Sequence, residues 1–484
     1  MFEGPERTAI ELRELAPRDP LGVLASLRGD PYPWLLDSAL PSPRIGRFSF
    51  AGADPYLVLR ARGTRIELEC RRAVRPGLAL GRQVLFGDPL ETVRGLLPPP
   101  PAVAAPEALP FLGGAVGYLG YELAERVEAL ALRGLDDLGL PELVLLFVDR
   151  LFAWDHVEER GFAVGVGFAA DAAEARARGG DAADALCRQI EAPARRASDA
   201  HAARPLRTAV SCCDESSYAK LVDAVKQEVA AGNVYQACLT HRIERPCGAD
   251  PWALYQTLRR INPAPFASYL ELPEVAIVGS SPERFLRVGS DGRVESRPIK
   301  GTRPRGENAT DDARLRRELE HSPKDRAENL MIVDLVRSDL GRVCETGSVE
   351  VPELMAIEAY ASVFQMVSTV TGRLRDDRDA VDLLRAAFPP GSMTGAPKIA
   401  AMQLLARLES LRRGIYSGAI GYFDLRGGID LCVVIRTILL HDGCAYLHTG
   451  GGIVADSDPG EEYRETLHKA RPLLAALDDP DGVS

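Results

Sequence analysis

Ile415-Tyr-Ser-Gly-Ala-Ile-Gly-Tyr422, Ile429-Asp-Leu-Cys-Val-Val-Ile-Arg-Thr-Ile-Leu-Leu440 and Ala445-Tyr-Leu447 are three apolar runs, with glycine-bearing breaks at Gly427-Gly428 and Gly443. Short runs rich in aliphatic and aromatic residues read as strands, and glycine breaks read as turns. Strands joined by short turns pair antiparallel, so the fold class is α+β rather than a doubly wound sheet. Outward from this stretch, Val275–Gly279 and Phe285–Val288 read as strands, as do Tyr56–Arg60 and Glu142–Phe152. Ser216–Ala231 has helical spacing behind a polar start. Residues 169–207, rich in alanine, arginine, aspartate and glycine, read as a surface helix plus a flexible connection. They divide the chain into residues 1–168, this linking segment, and residues 208–484.

The chain has 484 residues, 46% of them hydrophobic, enough for a substantial core. Basic residues number 58 and acidic residues 69, a net charge of −11. Such a balance is not built to neutralise phosphates and argues against nucleic acid as a partner. A small anionic substrate would need a locally positive pocket. The polar start Met1–Arg7 lacks the basic-then-apolar order of a signal peptide. Apolar runs such as Leu143–Val148 fall far short of the roughly 18 residues a membrane span requires, so no membrane is expected. Nine irregularly spaced cysteines, with no Cys-x-x-Cys pair and with Cys212 and Cys213 adjacent, fit reduced thiols in a cytoplasm. Seven histidines show no zinc-like spacing.

Two carboxylate pairs sit at helical spacing. Asp325 and Glu328 follow Ser322-Pro323, a helix start; Glu462 and Glu465 follow Asp458-Pro459, another. Acids three apart share a helix face, and two such faces together would hold a hard dication, magnesium suiting best. The plainer reading is acids placed near helix N-termini by the dipole. Ser392-Met-Thr-Gly395-Ala396-Pro397-Lys398 opens a helical run and reads as an anion seat, and Gly450-Gly451-Gly452 lets backbone approach a ligand; turn chemistry explains both equally well. Arg436 interrupts an apolar run, so it needs an anion, either a structural carboxylate or a ligand. Lys300, in Pro298-Ile-Lys-Gly-Thr302, is an ordinary solvated lysine unless a pocket draws it in, where it becomes a nucleophilic amine. Glu283, in Ser281-Pro-Glu-Arg284, is by base rate a surface or capping acid.

The strings Ser280–Phe285, Pro298–Gly306, Glu328–Arg342, Gly391–Lys398, Ser417–Tyr422 and Gly450–Ser457 occur in an order that resembles the chorismate-utilising enzymes. The resemblance is strong over about Ser216–Leu477 and weak before it. It implies two facing antiparallel sheets with helices packed outside, a fold like that of anthranilate synthase component I, with the chain's two regions interlocked. Near the start, Leu35-Leu36-Asp37-Ser38 and Gly46-Arg-Phe-Ser49-Phe50 resemble segments forming a tryptophan pocket in component I members. Leu36, Asp37, Ser38 and Ser49 are the residues so implied, with tryptophan as the ligand.

Two positions separate branches of this family. Members that add water carry lysine where this chain has Gln236, and anthranilate-forming members carry alanine where it has Lys300. On both counts the chain resembles the aminodeoxychorismate synthase component I branch, which forms 4-amino-4-deoxychorismate for para-aminobenzoate and folate synthesis. The alternative is anthranilate synthase component I. The resemblance implies magnesium held by Glu328 and Glu465, with Asp325 and Glu462 assisting. It implies substrate contacts from Tyr416, Arg436, Gly451 and Gly452, and from Gln236, Gly395, Ala396 and Lys398. Lys300 would attack ring carbon 2 while Glu283 protonates the hydroxyl leaving carbon 4. Many members have histidine where this chain has Gln365, and glutamine hydrogen-bonds without handling a proton. No Gly-x-Cys-x-Gly nucleophile motif occurs, so the resemblance implies a separate glutamine amidotransferase supplying ammonia.

Overall fold

A computed structural model describes residues 7–42, 44–98, 109–192, 213–360 and 363–480. The chain's polar start at 1–6, most of the proposed flexible connection (193–207) and Cys212 lie outside them. The described part is built on two large, wholly antiparallel sheets.

The first sheet runs, in spatial order, Arg7–Leu15, Arg160–Ala169, Arg150–Asp155, Phe48–Gly52, Trp34–Asp37, Phe266–Glu271, Ala276–Ser281, Thr437–His441, Cys444–Ile453, Gln236–Pro246 and the short Gly395–Ala396. The second runs Ile299–Pro304, Val363–Arg373, Arg293–Ser296, Arg284–Val288, Ile429–Val433, Ala419–Asp424, Gly114–Leu119, Leu143–Val148, Leu57–Arg62, Arg65–Cys70 and Gly81–Phe86; Glu350–Ala359 also pairs with Val363–Arg373. Strands from 1–168 and from 208–484 meet inside both sheets: Trp34–Asp37 pairs with Phe266–Glu271, and Gly114–Leu119 with Ala419–Asp424. The inner faces share an apolar layer in which Phe50 of the first sheet touches Phe111 and Tyr422, which stack at 4.5 Å between centroids. Tyr255, Leu258, Leu186 and Leu473 pack beneath the first sheet from the helices Pro251–Ile261, Ala172–Glu191 and Pro459–Asp478. Helix Pro323–Gly341 packs against the second through Ile332, Val336 and Leu340.

The antiparallel pairing expected from the glycine turns is present, but two single strands read from the sequence are each two. Ile429–Leu440 divides into Ile429–Val433 in the second sheet and Thr437–His441 in the first. The break falls at Arg436, whose φ of 51° turns the chain. Glu142–Phe152 divides likewise into Leu143–Val148 and Arg150–Asp155. Strands buried on both faces carry no alternation, so an apolar run continues unbroken through the crossing. The run read as Ile415–Tyr422 begins pairing only at Ala419, which leaves Tyr416 in the preceding turn.

Arg284, 4% exposed, ties three strands of the second sheet together. It donates to Asp430 through Nε and Nη2, both at 2.9 Å, and to Glu295 through Nη1 at 2.7 Å. Its guanidinium also lies 5.0 Å over the Phe266 ring of the other sheet. Removing one member of such a buried network strands its partners. Arg284→Ala is expected to lower unfolding free energy by about 3 kcal/mol, read from the denaturant midpoint.

Candidate active site

A cavity of about 940 Å³ opens between the sheets, and the chemistry-bearing segments converge on it. Strand Ile299–Pro304 carries Lys300, and the turn after Ala276–Ser281 carries Glu283. Helix Pro323–Gly341 brings Asp325 and Glu328 in its first turns, with Ser322 Oγ accepting from the Asp325 N–H and Pro323 at the first position. Helix Pro459–Asp478 brings Glu465 and Lys469; Asp458 caps it by accepting from the Glu461 N–H. Both helix starts are those the serine–proline and aspartate–proline pairs imply. Gly450, Gly451 and Gly452 end the strand that runs between these helices.

The glycines sit where side chains would press on Glu462 or strike Gln236. A Cβ on Gly451 would lie 3.0 Å from Glu462 Oε2 and 3.9 Å from Glu465 Oε1; one on Gly452 would lie 2.0 Å from Gln236 Nε2 and 3.4 Å from Glu328 Oε2. Glu328, Glu462 and Glu465 therefore gather along one short length of backbone. Each meets a different neighbour. Glu462 is buried, accepting from Ser457 Oγ at 2.7 Å and pairing with Lys324 at 3.1 Å. Lys469, 2.7 Å away, holds the Glu465 carboxyl well below the usual range. Glu328 accepts from Gln236 Nε2 at 3.2 Å, and burial raises its pKa against the pull of Lys300 and Lys324. Asp325 is paired with Arg303 at 2.9 Å.

Among the described residues no three acidic, histidine or cysteine side chains are close enough to enclose an ion. The donors instead suit a dication gripped from one side. Glu328 makes no ion pair among the described residues, and Glu465 reaches the same glycine backbone from the other helix. Glu328 without a cation partner, together with Glu465, which Lys469 also holds, would suit magnesium completed by waters and a substrate oxygen.

Glu283 and Lys300 form the second cluster. Glu283 is 4% exposed, and burial pushes its pKa up to about 7, against Ser392 and the Lys300 charge. Lys300 Nζ donates to the Ser392 carbonyl at 3.2 Å. An amine and a carboxyl that holds its proton near neutrality thus share one neighbour. Arg436 Nη1 donates to the Lys469 carbonyl at 2.9 Å and has no ion pair among the described residues, so the structural carboxylate weighed from sequence is not there. Tyr416 stacks on His448 at 5.0 Å. His448 stays neutral: burial lowers its pKa far below the usual value, aided by Arg242 and Arg413.

Lys300, Glu283, Asp325, Glu328, Glu465, Tyr416, Arg436, Gly451 and Gly452 line the cavity, with Gln236 and Glu462 immediately behind. The anion seat at 392–398 does not form as read. Lys398 gives its amine to Asp339 and the Ala387 carbonyl, both at 2.7 Å, away from the cavity lining. Gly395 and Ala396 pair with Ala237 and Gln236 and brace that strand rather than facing the cavity. Leu36, Asp37 and Ser49 lie on adjoining strands outside the cavity, with Ser38 just past the first of them. Asp37 there accepts from Ser49 (2.8 Å), Tyr255 (2.9 Å) and Arg259 (2.6 Å). Sequence reading missed Lys324, Lys469 and His448. Lys469 was legible as the cation four residues after Glu465, a favourable helical pairing; His448 carried no signal.

Unfolded, Glu283 titrates near 4.5 and folded at about 7. Between those values the folded state keeps a proton the unfolded chain has lost. The contribution to stability is therefore complete at acid pH and is lost as pH rises through about 7. Glu283→Gln should gain on the wild type by about 3 kcal/mol between pH 4.5 and 7.5, measured by denaturant midpoints. Glu122, also pushed up to about 7 by burial, is common to both proteins and cancels. A difference constant across that range contradicts the assignment.

A family model described as chorismate binding enzyme matches residues 83–475. The chain is 44% identical over 451 residues to an aminodeoxychorismate synthase of Streptomyces griseus, covering 92% of this chain and 61% of that one. It thus spans about three fifths of that relative's length. It is 39% identical over 476 residues to anthranilate synthase component 1 of Geobacillus stearothermophilus, covering 96% and 92% of the two chains. Among solved structures, anthranilate synthase component I of Streptococcus pneumoniae matches with a TM-score of 0.74 at 29% identity, over 90% of this chain and 93% of that one. The model's span, these identities and a shared fold lead to one statement: this chain belongs to the chorismate binding enzyme family.

Proposed function

We propose that this chain is an aminodeoxychorismate synthase component I, exchanging the ring hydroxyl of chorismate for an amino group. The observation that carries the reading is Lys300, an amine in the cavity wall sharing Ser392 with the buried, proton-holding Glu283. Chorismate has two carboxylates, and the cavity offers separate seats for them. Arg436 and the backbone of Gly451 and Gly452 receive the enolpyruvyl carboxylate, and the ring carboxylate is directed to Glu328 and Glu465. Those two residues would hold magnesium, with Glu462 behind them, and when bound it supplies a clamp and electron sink for the conjugated acid.

Lys300, as the free amine, forms a bond to ring carbon 2 while both ring double bonds shift, from 1,2 to 1,6 and from 5,6 to 4,5, and the carbon 4–oxygen bond breaks. Glu283 gives its proton to the departing oxygen, which leaves as water. Ammonia then bonds to carbon 4, both ring double bonds shift back, and the bond from Lys300 to carbon 2 breaks. The surplus proton returns to Glu283. One ammonia enters, one water leaves, and 4-amino-4-deoxychorismate results. A glutamine amidotransferase supplies the ammonia, and the eight free cysteines among the described residues suit a reducing cytoplasm.

The second reading is anthranilate synthase component I, favoured by the 39% identity that runs over nearly the whole of such a relative. Lys300 stands against it, as does Gln365, which cannot move the proton that loss of pyruvate requires.

With chorismate, ammonium and magnesium, the purified chain should release a product with the mass of 4-amino-4-deoxychorismate; fluorescent anthranilate together with pyruvate sinks the proposal. Lys300→Ala should lower turnover at least about a hundredfold, and unchanged formation of the same product removes the covalent role. Excess chelator should suppress turnover and added magnesium restore it, whereas full activity in chelator contradicts the metal.

A further inference from the structure

The chain carries a net charge of −11, yet the substrate of the function proposed above, on which this step rests, is a dianion. At long range the two repel, so capture depends on the field at the mouth of the cavity. Seven lysines and arginines line the cavity against five acids, and one of the five, Glu283, holds its proton near neutrality. Even with the buried Glu462 counted behind the wall, the cations outnumber the charged acids. The cavity is a positive region in a negative molecule.

Five of the seven cations are already engaged. Arg303, Lys324 and Lys469 pair with Asp325, Glu462 and Glu465, while Lys300 and Arg436 donate to backbone carbonyls. Arg464 and Arg471 make no ion pair or side-chain hydrogen bond among the described residues. Both are exposed, and with His468 they occupy positions i, i+4 and i+7 of helix Pro459–Asp478, which puts the three on one face. Exposed residues that also line the cavity stand at its mouth. Glu465 and Lys469 lie farther round the same helix, toward Gly450 and Gly451.

We infer that Arg464 and Arg471 form a cationic rim that draws a small dicarboxylate into the cavity, ahead of its final contacts with Arg436 and the ion site. The rim acts at a distance. It makes no contact with the reacting atoms, so it favours capture and leaves the chemical step unchanged. Glu461, about one turn before Arg464 on the same wall, works against it.

The test is the double variant Arg464→Gln/Arg471→Gln in the full chain, with magnesium and ammonium held low and constant. At an ionic strength of about 0.02 M, kcat/KM for chorismate should fall about fivefold, and at about 1 M it should match the wild type, because salt then screens charges beyond a few ångströms. The apparent kcat should hold throughout. Glu461→Gln should move kcat/KM the opposite way at low ionic strength. Wild-type kcat/KM in the double variant at low ionic strength overturns the inference, as does a fall with Glu461→Gln. A deficit that keeps its size at high salt also overturns it, since that marks a short-range contact or altered packing. If the double variant does not fold, Arg471→Gln alone should show about a twofold deficit with the same salt dependence. Rates are read as loss of chorismate, whichever product forms. The mass of the wild-type product tests the reaction itself, so failure of that reading and failure of this one are told apart.

Discussion

A carboxyl group keeps its proton near neutrality only where water is excluded, and Glu283 meets that condition because the two sheets close over the turn that carries it. The rest of the site follows from the same exclusion. Arg284, the next residue, spends its guanidinium on Asp430 and Glu295 and locks the turn to three strands. Ser392, Lys300 and the backbone of Ile299 are the partners of the Glu283 carboxyl. Lys300 on its strand and Glu283 on a short turn pinned between two strands are thus both held in place by the sheets.

The carboxylates on the far wall solve a different problem. Three glutamates crowd the backbone at Gly451 and Gly452, and like charges this near one another are unfavourable. Lys324 and Lys469 each neutralise one, and Gln236 hydrogen-bonds the third. Glu328 thus stays without a cation at ion-pair distance among the described residues. The glycines are integral to this arrangement: any side chain at Gly452 would strike Gln236 and approach Glu328.

In the middle of the first sheet, at the end of strand Trp34–Asp37, Asp37 is enclosed by Ser49, Tyr255 and Arg259. Its charge is already matched within the protein. The resemblance to a tryptophan pocket therefore extends to the strands and their polar residues. An incoming ammonium would have to compete with Arg259 for the same carboxylate.

Local chemistry made much of this legible in the chain. Glycine turns reported antiparallel pairing, and Ser322-Pro323 and Asp458-Pro459 marked helix starts that fix which way Glu328 and Glu465 face. Lys300 and Glu283 carried no such mark, since a lysine beside glycine and a glutamate after proline are ordinary surface residues until something buries them. Lys398 sat in a motif as suggestive as any, and Asp339, 59 positions earlier, took its amine. The sequence by itself determined the elements, the caps and the acids' spacing, because those depend on neighbours a few residues away. Tertiary structure alone decided where apolar runs cross between sheets, which charges are paired off, and which carboxyl is buried, because each depends on contacts between segments far apart in the chain.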